Sequence, residues 1–189
     1  MTRFILHGGY TNADNEQTSN FWKELSQHTP NGGNILLVNF SRKDDEMNKY
    51  FEEDKNRILK ETHNKKFIFS LASKENFMEQ IKIANTIYIR GGNTEKLLDT
   101  LKQYPDFSKS LTGKVVSGDS AGAYVLAKYY PVSNGKVNEG LGILPIRIIC
   151  HYENPRFEFK NDLLILMEQY PKDLELVILR DFEYRVFTV

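Results

Sequence analysis

Short apolar runs alternate with helix-like patterns along the first two thirds of the chain. Each run is three or four residues long, and in the segment after it apolar residues recur at about every third or fourth position. Continuous apolar runs are typical of strands buried on both faces, and strands that alternate with helices are typical of a parallel sheet. The pattern predicts strands at residues 4–6, 35–38, 67–69, 87–89 and 114–116, and helices around residues 21–25, 47–58, 77–84, 97–101 and 124–129.

The last third of the chain has a different pattern. Residues 131–145 hold three glycines and little periodicity, which predicts turns and short strands. Beyond them the pattern predicts strands at 146–150, 174–179 and 183–189, with a helix at 163–170. We therefore predict one domain over residues 1–189, with an α/β fold in which an open, doubly wound, mostly parallel sheet carries helices on both faces.

The charge balance does not favour partners that are themselves strongly charged. Lysine and arginine together number 25, as do aspartate and glutamate, so the formal net charge is zero. This balance gives no electrostatic reason to expect nucleic acid or an anionic membrane as a partner. No apolar run approaches the roughly 18 residues that a membrane span needs, and the apolar stretch at residues 4–6 is too short for the core of a signal peptide. We expect a cytoplasmic protein without a nucleic-acid or membrane partner.

The strongest chemical signal follows the fifth predicted strand. Residues 118–122 read Gly-Asp-Ser-Ala-Gly, which is the G-x-S-x-G pattern between a strand and a helix. Small residues around Ser120 permit a tight turn that exposes its hydroxyl at a helix N-terminus, where backbone N–H groups stabilise developing negative charge. This context predicts a nucleophilic Ser120. The alternative is a tight turn in which Ser120 only caps the helix.

A second glycine junction, at residues 90–94, follows the fourth predicted strand. Gly91 and Gly92 let the backbone approach a ligand closely. We predict that N–H groups of this loop and of Ala121 form an oxyanion hole. Two alternatives remain open for the loop, namely a glycine turn before a helix cap and a cradle for phosphate.

A nucleophilic serine needs a base and an acid that orients the base. Of the four histidines, His151 follows an apolar run at a strand end, which favours it as the base, and His7 is the second choice. Asp181 and Glu183 both follow the apolar run 177–179. Asp181 comes immediately after the strand end, whereas Glu183 belongs to the next alternating segment. We predict Asp181 as the acid, with Glu183 as the alternative.

Four motifs occur in an order that resembles the peptidase E family of serine peptidases, which includes aspartyl dipeptidase and cyanophycinase. The resemblance implies a fold like that of class I glutamine amidotransferases. It also implies Ser120 as nucleophile, His151 as base, Asp181 as acid, and the backbone of Gly91, Gly92 and Ala121 as oxyanion donors. The motifs are GGNT with LL at 91–98, GDSAGA at 118–123, GLGILP at 140–145 and HY at 151–152.

We predict a serine peptidase that acts on small peptides, as a monomer or a homodimer, without a metal or an organic cofactor. One alternative is a non-catalytic module that binds an anion or a nucleotide. Another is an amidotransferase-like hydrolase, although that fold usually carries cysteine at the elbow and the only cysteine here is Cys150. Aspartyl preference is not predicted, since Arg156 is the one weak candidate for holding an acidic side chain of the substrate.

Overall fold

The computed structural model describes residues 1–62, 65–133, 135–157 and 162–189, and these residues form two sheets. The larger sheet has six strands in the order β10-β1-β5-β4-β2-β3. Five of them run parallel, and β10 pairs antiparallel with β1 at one edge. The strands are β1 (Arg3–His7), β2 (Asn34–Val38), β3 (Ile68–Leu71), β4 (Thr86–Ile89), β5 (Val115–Asp119) and β10 (Tyr184–Thr188).

Helices cover both faces of the larger sheet because successive strand residues point to opposite sides. On one face Ile5 and Leu37 pack with Trp22 and its neighbours in one apolar cluster. On the other face Leu6 and Val38 belong to a larger cluster that also includes residues of the second sheet. The helices between the strands of this sheet are α1 (Glu16–Gln27), α2 (Met47–Glu61), α3 (Phe77–Ile83), α4 (Thr94–Leu101) and α5 (Phe107–Ser110).

The second sheet has four strands in the order β7-β6-β8-β9. Strands β6, β8 and β9 run parallel, and β7 forms an antiparallel hairpin with β6. Two short helices belong to this half of the chain. The elements are α6 (Ala121–Leu126), β6 (Ala127–Val132), β7 (Lys136–Glu139), β8 (Leu144–Ile149), α7 (Leu163–Glu168) and β9 (Glu175–Ile178).

The expected α/β class, with mostly parallel strands and helices on both faces, is confirmed. The expected helix over residues 124–129 is wrong beyond Leu126, because α6 ends there and β6 begins. Carbonyls at this boundary accept hydrogen bonds from a segment distant in the chain. Leu141 N–H donates to Val125 O at 2.8 Å, and Gly142 N–H donates to Ala127 O, the first residue of β6, at 3.1 Å. The division into one domain over residues 1–189 stays a prediction.

Among the described residues, no helix is long and apolar enough to cross a membrane.

The aromatic cluster around Phe77, the first residue of α3, provides a test of the core. Phe77 is fully buried, and its ring lies 5.0 Å from that of Phe40 and 4.9 Å from that of Tyr104. We expect Phe77→Ala to lower the free energy of unfolding by roughly 3–5 kcal/mol, since it removes buried contacts and leaves a cavity. Ile83, at the end of the same helix, is 65% exposed. Ile83→Ala is the matched control and should change that free energy by less than about 0.5 kcal/mol in urea unfolding.

Candidate active site

The ends of several parallel strands meet at one edge of the larger sheet. His7 at the end of β1 is in register with Asp119 at the end of β5, and Ile89 at the end of β4 is in register with Gly118. The loops that follow these strands therefore lie side by side. In open α/β sheets this edge is where ligands bind.

Ser120 lies in the tight turn between β5 and α6. Its backbone has φ 48° and ψ −108°, which is unusual for a residue with a side chain and typical of a strained nucleophile elbow. The turn is tight because β4 passes directly beside it. A Cβ atom at position 122 would lie 2.0 Å from the carbonyl oxygen of Ile89, so Gly122 is required there.

The second sheet brings His151 and Asp181 to Ser120. His151 lies two residues beyond β8, and Asp181 lies three residues beyond β9. Ser120 Oγ is 2.9 Å from His151 Nε2, and His151 Nδ1 is 2.6 Å from Asp181 Oδ1. A carboxylate only accepts hydrogen bonds, so Nδ1 carries the proton and Nε2 is left to accept from the serine hydroxyl.

The loop after β1 holds the histidine. His151 N–H donates to Gly8 O at 3.1 Å, and Phe182 N–H, next to the acid, donates to Gly9 O at 3.2 Å. A Cβ atom at position 9 would lie 1.9 Å from His151 Cε1, so only glycine leaves room for the ring. Gly8 and Gly9 therefore join His151 and the loop that carries Asp181 to the larger sheet.

Three residues near the triad were not found from the sequence. Asn154 Nδ2 donates to the second oxygen of Asp181 at 2.6 Å. The ring of Phe157 stacks on His151 with centroids 4.0 Å apart, and Tyr10 meets the same ring edge-on at 5.5 Å. The Asn154-Pro155 pair suggested only a loop in the sequence, and the aromatic residues carried no signal of their own.

Glu183, the alternative acid, occupies a different position. Its carboxylate accepts a hydrogen bond from Arg180 N–H at 2.8 Å, which closes the turn that carries Asp181. His7, the alternative base, is fully buried, and its Nδ1 accepts from Gly9 N–H at 3.0 Å. Burial lowers the pKa of His7 to about 4, so its ring is neutral at pH 7.

The glycine loop after β4 offers one free donor. Gly91 N–H donates to Asp119 Oδ1 at 2.7 Å and is therefore not available to a substrate oxyanion, contrary to the expectation for Gly91. Gly92 has φ +150°, and its N–H has no acceptor among the described residues. Ala121 N–H, at the first position of α6, also has no acceptor among the described residues. Gly92 and Ala121 are therefore the two donors that this arrangement can offer.

A cavity of about 350 Å³ opens beside Ser120. Arg42 and Arg90 both line it, and each guanidinium lies over the ring of Tyr50, at 4.4 and 4.3 Å from its centroid. Arg90 is neutralised by Asp54 and Glu53, whereas the side chain of Arg42 has no acceptor among the described residues. The cavity is lined by Tyr10, Thr11, Asn12, Arg42, Tyr50, Arg90, Gly91, Gly92, Asp119, Ser120, His151 and Phe157, a set that does not include Arg156.

Neither a thiol nor a metal-ligand cluster contributes to this arrangement. Cys150 is fully buried, and burial raises the pKa of its thiol well above the usual value. A buried neutral thiol is a poor nucleophile, which leaves the amidotransferase-like alternative without its usual cysteine. In the described part of the chain, no group of three or more His, Cys, Asp or Glu residues is arranged to hold a metal ion.

Residues 4–184 match the sequence model of peptidase family S51. The chain belongs to this family. It is therefore a serine-type peptidase, and the resemblance indicated by the four sequence motifs is confirmed. No curated protein matches the sequence significantly.

Two solved structures are similar to the S51 chain in fold. A peptidase from an acI-B1 Actinobacterium is 21% identical, with a TM-score of 0.72, and the match covers 98% of this chain and 83% of that one. A candidate peptidase E protein from Listeria monocytogenes EGD-e is 16% identical, with a TM-score of 0.66 and coverage of 100% and 98%. At these identities the comparison supports the fold.

The buried His7 predicts an acid-sensitive stability. The histidine of the unfolded chain binds a proton near pH 6.5, whereas the folded chain binds it only near pH 4. Between these values the unfolded state holds more protons, so stability falls as the pH falls. The full difference corresponds to about 3 kcal/mol, and about 2 kcal/mol of it is lost by pH 5.

The test compares His7→Asn, whose amide oxygen can still accept from Gly9 N–H, with the wild type in urea unfolding at pH 7.5 and pH 5. The wild type should lose about 2 kcal/mol more than the variant over this interval. Equal losses in the two proteins would mean that His7 titrates normally.

Proposed function

We propose that this S51 peptidase hydrolyses short peptides with Ser120 as nucleophile, His151 as general base and acid, and Asp181 as the group that orients His151. The observation that carries the proposal is the unbroken pair of hydrogen bonds, 2.9 Å from Ser120 to His151 and 2.6 Å from His151 to Asp181. A module that only binds an anion or a nucleotide would have no use for a base in contact with the serine.

The first half-reaction forms an acyl-enzyme. The Ser120 hydroxyl gives its proton to His151 Nε2 while Oγ attacks the scissile carbonyl carbon. Negative charge then develops on the carbonyl oxygen, and the free N–H groups of Gly92 and Ala121 are the donors that would stabilise it. His151 passes its proton to the amine nitrogen, the C–N bond breaks, and the amine leaves.

The second half-reaction releases the acid. A water molecule gives a proton to His151 Nε2 and attacks the acyl carbon, and the proton returns to Ser120 as the ester bond breaks. Asp181 accepts a hydrogen bond from His151 Nδ1–H throughout and stabilises the positive charge that the ring carries in both steps. Its side chain is 20% exposed and that of His151 only 8%, so solvent screens this interaction weakly.

The size of the cavity supports a short substrate. A volume of about 350 Å³ lies at the lower end of ligand pockets, which span roughly 300–1,000 Å³. Aromatic side chains are part of its lining, with Phe157 and Tyr10 against the His151 ring and Tyr50 in contact with both arginines. These walls suit a few residues of an extended peptide. The proposed steps use the three side chains of the triad, the two backbone N–H groups and water.

Removal of the nucleophile is the direct test. Ser120→Ala should lower kcat by a factor on the order of 10⁴ or more, because the acyl-enzyme cannot form, while the fold is kept. Ser108→Ala changes an exposed serine of α5 and should leave kcat unchanged. A fluorophosphonate probe should label the wild type at Ser120 and leave the Ser120→Ala protein unlabelled. Full activity of Ser120→Ala would end the proposal.

The two neighbouring acids should behave differently. Asp181→Asn disturbs the tautomer and orientation of His151, and in the best-known serine peptidases this change costs about 10⁴-fold in kcat. Glu183→Gln keeps an oxygen that can accept from Arg180 N–H, so kcat should stay within about threefold of the wild type. Both variants are measured on one chromogenic peptide. A loss of kcat confined to Glu183→Gln would identify Glu183, and not Asp181, as the acid that orients His151.

A further inference from the structure

Asp119 directly precedes the nucleophile and has no part in the triad. It ends β5 and is only 6% exposed. One oxygen, Oδ1, accepts two hydrogen bonds of 2.7 Å, from the hydroxyl of Tyr88 and from Gly91 N–H. Such bonds to an ionised acceptor are shorter and stronger than those between neutral groups. The carboxylate therefore ties the loop after β4 to the residue next to Ser120.

Tyr88 fixes the direction of this carboxylate. Its side chain is fully buried at the end of β4, and its hydroxyl has a second partner in Thr11 Oγ1 at 3.2 Å. With a partner on each side, the hydroxyl can accept from Thr11 and donate to Asp119. The Tyr88 hydroxyl thus holds Asp119 Oδ1 in a position where it can accept from Gly91 N–H.

The glycine loop lies directly against the carboxylate. A Cβ atom at Gly91 would lie 2.7 Å from Asp119 Oδ2, which leaves no room for a side chain. On the opposite side the Ser41 hydroxyl lies 2.8 Å from Arg90 O and 2.9 Å from Gly91 O, and Asn93 N–H donates to Ser41 O at 3.0 Å. Ser41 thus holds the carbonyls of the loop, while Asp119 holds its N–H side.

We propose that Asp119 is a positioning residue for the oxyanion hole. Its bond fixes the peptide group on the N-terminal side of Gly91, and the Ser41 hydroxyl holds the Gly91 carbonyl, which shares a peptide group with Gly92 N–H. With both sides of Gly91 held, Gly92 N–H points toward the carbonyl that Ser120 attacks. Asp119 and Ser120 are adjacent in the chain, so one carboxylate fixes the oxyanion donor relative to the nucleophile. This inference rests on the proposed function of Ser120.

The role differs from that of a residue that only stabilises the fold. An oxyanion donor acts on the transition state more than on the bound substrate, so its misplacement lowers kcat and leaves KM nearly unchanged. It also weakens the binding of a tetrahedral adduct. A purely structural residue would instead lower the amount of folded enzyme, which titration of active serines with a fluorophosphonate corrects for.

The experiment compares Asp119→Ala, Asp119→Asn and Tyr88→Phe with the wild type, with concentrations taken from active-serine titration. Asp119→Ala should lower kcat about 100-fold at a KM within threefold, as expected for a lost oxyanion donor. The affinity for a dipeptide boronic acid, which forms a tetrahedral adduct with serine, should fall by a similar factor. Asp119→Asn retains an oxygen that can accept from Gly91 N–H and should recover kcat to within about tenfold of the wild type.

Tyr88→Phe removes one donor to the carboxylate and leaves the Gly91 bond possible, so it should lower kcat by a smaller factor, about tenfold, again at constant KM. A folded Asp119→Ala protein with kcat within threefold of the wild type would overturn the proposal. If Asp119→Ala does not fold, an unchanged kcat in Tyr88→Phe would overturn it equally. An active Ser120→Ala protein, by contrast, would refute the proposed function itself.

Discussion

The carbonyl group of Ile89, at the end of β4, occupies the space that a side chain at position 122 would need. The arrangement of the active-site edge depends on this close approach. The Ile89 carbonyl would be 2.0 Å from a Cβ atom at position 122. The backbone of β4 therefore runs directly against the first turn of α6. The turn passes through the strained conformation of Ser120, and the loop after β4 emerges beside the serine. This steric constraint thus brings Ser120 and the glycine loop after β4 next to each other.

The two sheets contribute different parts of the site. The larger sheet supplies the serine and the glycine loop, and the smaller sheet supplies the histidine and its acid from the ends of β8 and β9. Gly8 and Gly9 join the two sets, because their carbonyls accept from His151 N–H and Phe182 N–H. Loops from separate sheets would otherwise move independently, and a 2.9 Å contact between Ser120 and His151 needs both to be held. The extended junction after β1 provides that support.

Part of this arrangement could be predicted from the sequence because it depends on local sterics. Small residues around Ser120 predict the elbow, and an apolar run before His151 predicts a strand end at the right edge. The choice of Asp181 over Glu183 also followed from distance to a strand end. These inferences need only the residue types and the direction of the chain.

Other features depend on contacts between distant segments and could not be predicted from the sequence. The end of α6 at Leu126 is set by donors from Leu141 and Gly142, some 15 residues later. The Gly91 N–H is occupied by Asp119 only because β4 and β5 are neighbours in the sheet. The existence of a second sheet has the same origin, since hydrophobic periodicity indicates which strands are buried and not which strands pair.

The burial of Cys150 has a consequence for the environment in which this chemistry can operate. The thiol lies beneath the elbow, with Sγ 3.9 Å from the carbonyl oxygens of His7 and Ser120, and it is fully enclosed. Oxidants and alkylating reagents attack exposed thiolates, and here the sulfur is both protonated and inaccessible. The described reactive groups are a hydroxyl, an imidazole and a carboxylate. Thiol-directed reagents therefore find no exposed cysteine in this chain, and the proposed triad does not depend on a thiol.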